Sequence, residues 1–63
     1  MNYQIEALLP LREVEKMVGF KHVKIYTLMN ADKFPKNKKI EGKALWRLSE
    51  IQEWIFEQWQ KEA

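Results

Sequence analysis

The stretch LREVEKMVGFKHVKIYTLMNAD, residues 11–32, carries two helical patterns on either side of a glycine. Leu11, Val14, Met17 and Val18 recur at i, i+3, i+6 and i+7, with Arg12, Glu13, Glu15 and Lys16 on the other side. That is the spacing of an amphipathic helix. Pro10 suits its first position or the residue before it, and Gly19 supplies the left-handed residue that closes it. A second helix is expected from Lys21 to Ala31 or Asp32, with Lys21 as its N-cap. Phe20 and Ile25 then stand at the two positions of a hydrophobic staple. Ile25, Leu28 and Met29 form its buried stripe.

Working outward, Ile5 to Leu9 is a short apolar segment ending at Pro10. It reads as an extended lead-in or a short edge strand, because the residue before a proline avoids helix. On the other side Pro35 bars any continuation of the second helix. From Asn37 to Arg47 the pattern is that of a hairpin centred on Glu41-Gly42. A two-residue loop pairs Ile40 with Lys43, and a four-residue loop pairs Ile40 with Leu45. The longer loop is favoured, since it sets two apolar chains opposite one another. Ser49, with Gln52 three residues on, is a capping box for a closing helix. That helix buries Ile51, Trp54 and Ile55 with Gln58 on the same face, and Trp59 lies at the border. No repeat, linker or low-complexity tract interrupts the chain, so residues 1–63 are expected to form one domain: mainly α with a small β-hairpin, three helices plus a two-stranded wing.

With 63 residues and no cysteine, the domain has neither a disulfide nor a thiolate metal site to stabilise it. A chain of this length buries only about 60% of its unfolded surface. It relies on apolar side chains, and 46% hydrophobic residues with three Trp, three Phe and two Tyr supply them. One histidine and one aspartate provide no spare parts for a metal site or a triad. With no paired carboxylates beside a base and no Gly-rich phosphate loop, no catalytic residue, metal or cofactor is expected. No apolar run approaches a membrane span or a signal peptide, so a cytoplasmic, nucleoid-associated protein without membrane contact is expected.

The net charge of +2 conceals a segregation. Residues 1–15 set Arg12 against Glu6, Glu13 and Glu15, for −2. Residues 16–47 set Lys16, Lys21, Lys24, Lys33, Lys36, Lys38, Lys39, Lys43 and Arg47 against Asp32 and Glu41, for +7. Residues 48–63 set Lys61 against Glu50, Glu53, Glu57 and Glu62, for −3. A positive centre of this kind either solvates one side of a small protein or attracts a polyanion.

Only about three residues, Gly19-Phe20-Lys21, join the two helices, and that tight turn is the signature of a helix-turn-helix, whose second helix enters the major groove. The hairpin behind it, with Lys36, Lys38, Lys39 and Lys43, and Arg47 at its end, resembles the wing of winged-helix DNA binders. Such cations reach phosphates without reading sequence. Base reading falls to the outward face of the second helix. Thr27 and Asn30 offer hydrogen bonds, Val23 offers an apolar contact for a thymine methyl, and Lys21, His22, Lys24 and Tyr26 flank them. Val23 is equally a surface apolar residue and Tyr26 partly core.

The runs LLPLREVEKMVGF, KIYTLM, Phe34-Pro35-Lys36 and WRLSEIQEWI, in that order, resemble the AlpA family of small phage regulators. That family is related to excisionases and to the DNA-binding heads of MerR-type regulators. The resemblance spans Leu8 to Ile55. It implies a winged helix-turn-helix that binds double-stranded DNA, as an activator of integrase genes or as a recombination directionality factor in prophage excision. It maps the start of the recognition helix onto Lys21, His22, Val23 and Lys24, with Thr27 next. This chain departs from the family where Lys21 and Val23 replace the usual Ser and Ser or Thr, which costs about 1 kcal/mol of capping and implies a different target sequence. No effector domain or dimerisation coil is expected after the closing helix.

Two further readings stay open. Tyr26, Phe34 and Trp46 beside lysines are able to stack on single-stranded bases, although Trp46 and Trp54 are equally the core. Phe56 and Trp59, with Tyr3 and Ile5, are candidates for an exposed patch that meets an integrase, RNA polymerase or a second copy of the chain.

Overall fold

The computed structural model describes residues 6–61. The elements run β1 (Leu8–Pro10), α1 (Leu11–Val18), α2 (His22–Asn30), β2 (Lys38–Ile40), β3 (Lys43–Arg47) and α3 (Leu48–Gln60). This is a winged helix-turn-helix of three helices and a small antiparallel sheet. The strand order is β1-β3-β2, so the lead-in strand adds a third member to the two-stranded wing. Leu8, Leu9 and Pro10 stand opposite Arg47, Trp46 and Leu45. Pro10 has no N–H to donate, and it sits at the end of an edge strand, where a proline is tolerated. Ile5, the first residue of the expected lead-in, lies outside the described residues.

Helix α1 closes as the sequence implies. Gly19 takes φ 83° and returns its N–H to the Glu15 carbonyl. After the short turn, Lys21 is the N-cap of α2, with extended backbone and no side-chain cap bond. The far end of α2 is closed by backbone alone. Asp32 N–H bonds the Met29 carbonyl at 3.0 Å and Lys33 N–H bonds Leu28 at 2.8 Å. This paired return is a Schellman motif, and it puts Asp32 rather than a glycine in the left-handed region, at φ 58°.

Two local expectations are corrected. The wing turn is the two-residue loop: Ile40 pairs with Lys43, and Leu45 faces Lys38. Glu41 and Gly42 both adopt positive φ, 53° and 80°. That turn matches the right-handed twist of the strands, and its geometry outweighs an Ile40–Leu45 pair. The capping box is the second. Helix α3 begins at Leu48 with Arg47 as N-cap, and Ser49 lies inside its first turn. The capping oxygens come instead from Glu6, outside the helix.

The core gathers one residue or two from most elements: Val14 of α1, Ile25 and Met29 of α2, Phe34 of the connection, Trp46 of β3 and Ile51 of α3. Leu9, Leu11, Val18, Leu28, Trp54 and Ile55 pack around them. Trp46 in the central strand is the largest fully buried side chain. Its indole N–H is satisfied by the Pro35 carbonyl at 3.0 Å, as a buried donor requires.

Candidate nucleic-acid interface

With Ile25 and Met29 turned into the core, the 100° step of an α-helix sends Val23, Thr27 and Asn30 to the opposite side of α2, within an arc of roughly 60°. All three are exposed, Val23 at 66%. The Thr27 hydroxyl donates back to the Val23 carbonyl at 2.8 Å, so toward a ligand it presents its methyl and its oxygen lone pairs. Asn30 keeps a free amide among the described residues. Lys21, His22 and Lys24 are exposed at the start of the helix. No acidic residue lies in its first turn and no side chain caps it. The leading N–H groups and the positive end of the dipole are therefore left facing outward, beside two lysines. His22 Nδ1 lies 3.7 Å from Glu15 of α1.

The wing cations separate into two sets. Side chains alternate across a strand, so Lys39 shares a sheet face with Ala44 and Trp46, the face that meets the helices. Lys38 and Lys43 project from the other face together with Ile40 and Leu45. All three lysines are exposed, and no carboxylate among the described residues pairs with them. Lys36 and Arg47 differ. Lys36 Nζ donates to Asp32 at 2.8 Å. That hydrogen bond, and then the lysine charge, holds the Asp32 carboxyl below its ordinary range.

Arg47 is tied into the frame of the domain. Its Nε and Nη2 donate to Glu6 Oε2 at 3.0 and 2.8 Å, and its Nη1 lies 3.7 Å from Glu50. The Glu6 hydrogen bond, then the Glu6 charge, raises the arginine pKa further. Glu6 in turn accepts the Ser49 N–H at 3.0 Å and its hydroxyl at 2.9 Å. Its carboxyl is drawn from 4.5 down to about 2, first by the Ser49 backbone bond, then by Arg47 and the Ser49 hydroxyl. The sequence holds no local signal for this clamp, because its members lie some forty residues apart and meet only once β1 pairs with β3.

Where α2 meets the root of the wing, Tyr26 stands edge-on to Trp46, ring centres 6.2 Å apart. Asn37 Nδ2 donates to the Tyr26 hydroxyl at 3.3 Å. Tyr26 is thus partly core and partly surface, at 36% exposure. Asn37, a polar residue in a connection, gave no sign of this contact in the sequence.

A depression between α2 and α3 has an apolar floor of Phe20, Leu28, Phe34 and Trp54. Phe20 and Phe34 both stand edge-on to Trp54, at 6.4 and 4.7 Å. Phe20, expected as a staple on Ile25, has its ring against this tryptophan. Glu50, Glu53 and Glu57 line the α3 side of the depression. Phe56 and Trp59 project elsewhere from α3, 63% and 88% exposed; Tyr3 and Ile5 lie outside the described residues. Among the described residues no group of three His, Asp or Glu side chains comes together to hold a metal, and no helix is long and apolar enough to cross a membrane.

Compared with known proteins, residues 7–62 match the model of the family described as prophage CP4-57 regulatory protein (AlpA). No curated protein and no solved structure matches the chain.

Proposed function

Since the chain belongs to the AlpA family of prophage regulatory proteins, we propose that it is a small, non-catalytic regulator that binds a specific duplex-DNA sequence and controls an integrase or excision system. The observation that carries this reading is the outward face of α2, short-chained and uncapped, next to a wing whose Lys38, Lys39 and Lys43 have no carboxylate partner among the described residues. In this reading α2 lies in the major groove. Val23, Thr27 and Asn30 meet base edges, and Lys21, His22, Lys24 and Tyr26 flank them on the backbone. Lys38, Lys39 and Lys43 hold phosphates beside the groove and set the register.

Lys36 and Arg47 are assigned lesser parts. Their charges are already engaged by Asp32 and by Glu6 with Glu50, so neutralising a phosphate means giving up an ion pair. Glu50, Glu53 and Glu57 line the same depression as Lys24; in this reading they stay off the polyanion, which like charge repels, and Lys24 marks that edge of the DNA-facing surface. The protein works in the cytoplasm, at the nucleoid, with residues 1–63 as one domain.

A second reading is favoured by the exposure of Trp59 and Phe56. Three residues apart on one helix, the two rings are neighbours on its surface and make a candidate partner surface. An architectural directionality factor needs such a surface for integrase or for a neighbouring copy, and an activator needs one for RNA polymerase. Selection from a randomised duplex pool at low salt tests the main reading. Enrichment of one sequence, recurring near the protein's own gene or an attachment site, supports it; absence of duplex binding, or binding with no enrichment, rejects it.

A further inference from the structure

We propose that the Tyr26 hydroxyl and the Asn37 amide form an uncharged notch for one phosphodiester group of duplex DNA, at the junction of α2 and the wing. The inference rests on the duplex-DNA reading above and deepens it: it gives the backbone contact of Tyr26 a second member, Asn37, and an uncharged chemistry. Three features converge on it. The ring of Tyr26 is held in place by Trp46, which is 1% exposed and anchored through its indole N–H to Pro35. The hydroxyl oxygen accepts the Asn37 amide at 3.3 Å, which directs the phenolic proton away from Asn37. Among the described residues that proton has no acceptor, and the second N–H of the Asn37 amide has none either.

The placement fits a backbone contact. On the helical wheel Tyr26 flanks the outward face, roughly 40° from Asn30 on the side of the wing. Lys39 lies on the same sheet face as Trp46, the residue that holds the Tyr26 ring. Tyr and Asn are regular donors to DNA phosphates. A neutral donor has a distinct signature, because it neutralises no phosphate charge and releases no counterion. Its loss lowers affinity at every salt concentration and leaves the salt slope unchanged.

The test uses the full chain and Tyr26→Phe, which keeps the ring against Trp46 and removes only the hydroxyl. On duplex carrying the selected site, the variant is expected to bind roughly ten- to hundredfold more weakly, the range of one hydrogen bond from an uncharged donor to a charged acceptor. The loss is expected on every sequence, with the salt slope unchanged. Methylphosphonate placed at each phosphate in turn should then reveal one position that weakens the wild type but not Tyr26→Phe, and Asn37→Ala should lose sensitivity at the same position. A loss confined to certain base sequences makes Tyr26 a base reader and overturns the notch. Equal sensitivity of wild type and variant at every phosphate leaves the hydroxyl an internal strut and also overturns it. Failure of the wild type itself to bind duplex DNA overturns the reading beneath, a result distinct from either.

Discussion

Glu6 caps the closing helix from 43 residues away, its Oε1 accepting the Ser49 N–H at 3.0 Å. The same carboxylate takes the Ser49 hydroxyl and the Arg47 guanidinium. One side chain thereby joins the N-terminal lead-in, the end of the wing and the start of α3. A carboxylate at a helix N-terminus satisfies orphan N–H groups and complements the dipole.

The pH dependence follows from that carboxyl, held at about 2 in the folded chain against 4.5 ordinarily. A depressed folded pKa means the contribution is complete above about pH 4.5 and is lost as pH falls toward 2. Glu6→Gln should lower the melting temperature at pH 7 and flatten its dependence between pH 5 and 2. Thermal melts across that range check it; parallel curves would show that Glu6 does not set the pH dependence, and coincident curves that the clamp contributes nothing.

The pattern of residues 11–32 revealed α1, its glycine stop, the tight turn and the outward face of α2, because each depends on neighbours within one or two helical turns. Ser49 misled for the complementary reason. A capping box is a local signal, and a distant carboxylate took the Ser49 N–H that the box gives to the Gln52 side chain. The wing turn is the other such case: pairing by apolarity favours Ile40 with Leu45, whereas the positive φ of Glu41 and Gly42 sets Ile40 against Lys43. Lys36 and Arg47 read as free cations, since nothing local shows that Asp32 and Glu6 fold back onto them.

Glu41 is an L-residue with a side chain at φ 53°, a conformation that costs roughly 1–2 kcal/mol outside glycine and asparagine. Glu41→Asn creates the Asn-Gly pair that this turn prefers. A gain of about 1 kcal/mol is expected, or some 4–8 °C in a domain of this size. The substitution also removes a negative charge from between Lys39 and Lys43, so duplex affinity at low salt should rise. A lower melting temperature would contradict the turn assignment.

Five cations on α2 and the wing, Lys21, Lys24, Lys38, Lys39 and Lys43, have no ion-pair partner among the described residues. If all five meet phosphates, the logarithm of the binding constant should fall with the logarithm of salt concentration at a slope of about −4 to −5. Titrations from low to moderate salt measure it directly. A flat response sinks the assignment of the wing to phosphate.

Reading and positioning should separate by substitution. Lys39→Ala is expected to weaken every sequence alike and to reduce the salt slope by about 1. Asn30→Ala is expected to cost about 1–3 kcal/mol on the preferred site and to relax the choice at one base pair. Profiles over a randomised DNA pool distinguish them. Indistinguishable profiles for the two variants mean that α2 does not read bases through Asn30.

Trp46 and Trp59 show opposite uses of the same side chain. Trp46 is 1% exposed, bonded to Pro35 and central to the core. Truncating a buried tryptophan costs about 3–5 kcal/mol, close to the whole net stability of about 3–5 kcal/mol that so small a core supplies. Trp46→Ala should therefore be largely unfolded at 37 °C by circular dichroism. Trp59 is 88% exposed and Phe56 63%, so Trp59→Ala should leave stability within about 0.5 kcal/mol. In the partner-surface reading proposed above, Trp59 and Phe56 are the residues that a second protein covers. Sedimentation with and without DNA should show larger assemblies for the wild type and smaller ones for Trp59→Ala at equal DNA occupancy. A wild type that is monomeric in both states removes self-association and leaves integrase or RNA polymerase as the partner to be tested against the same variant.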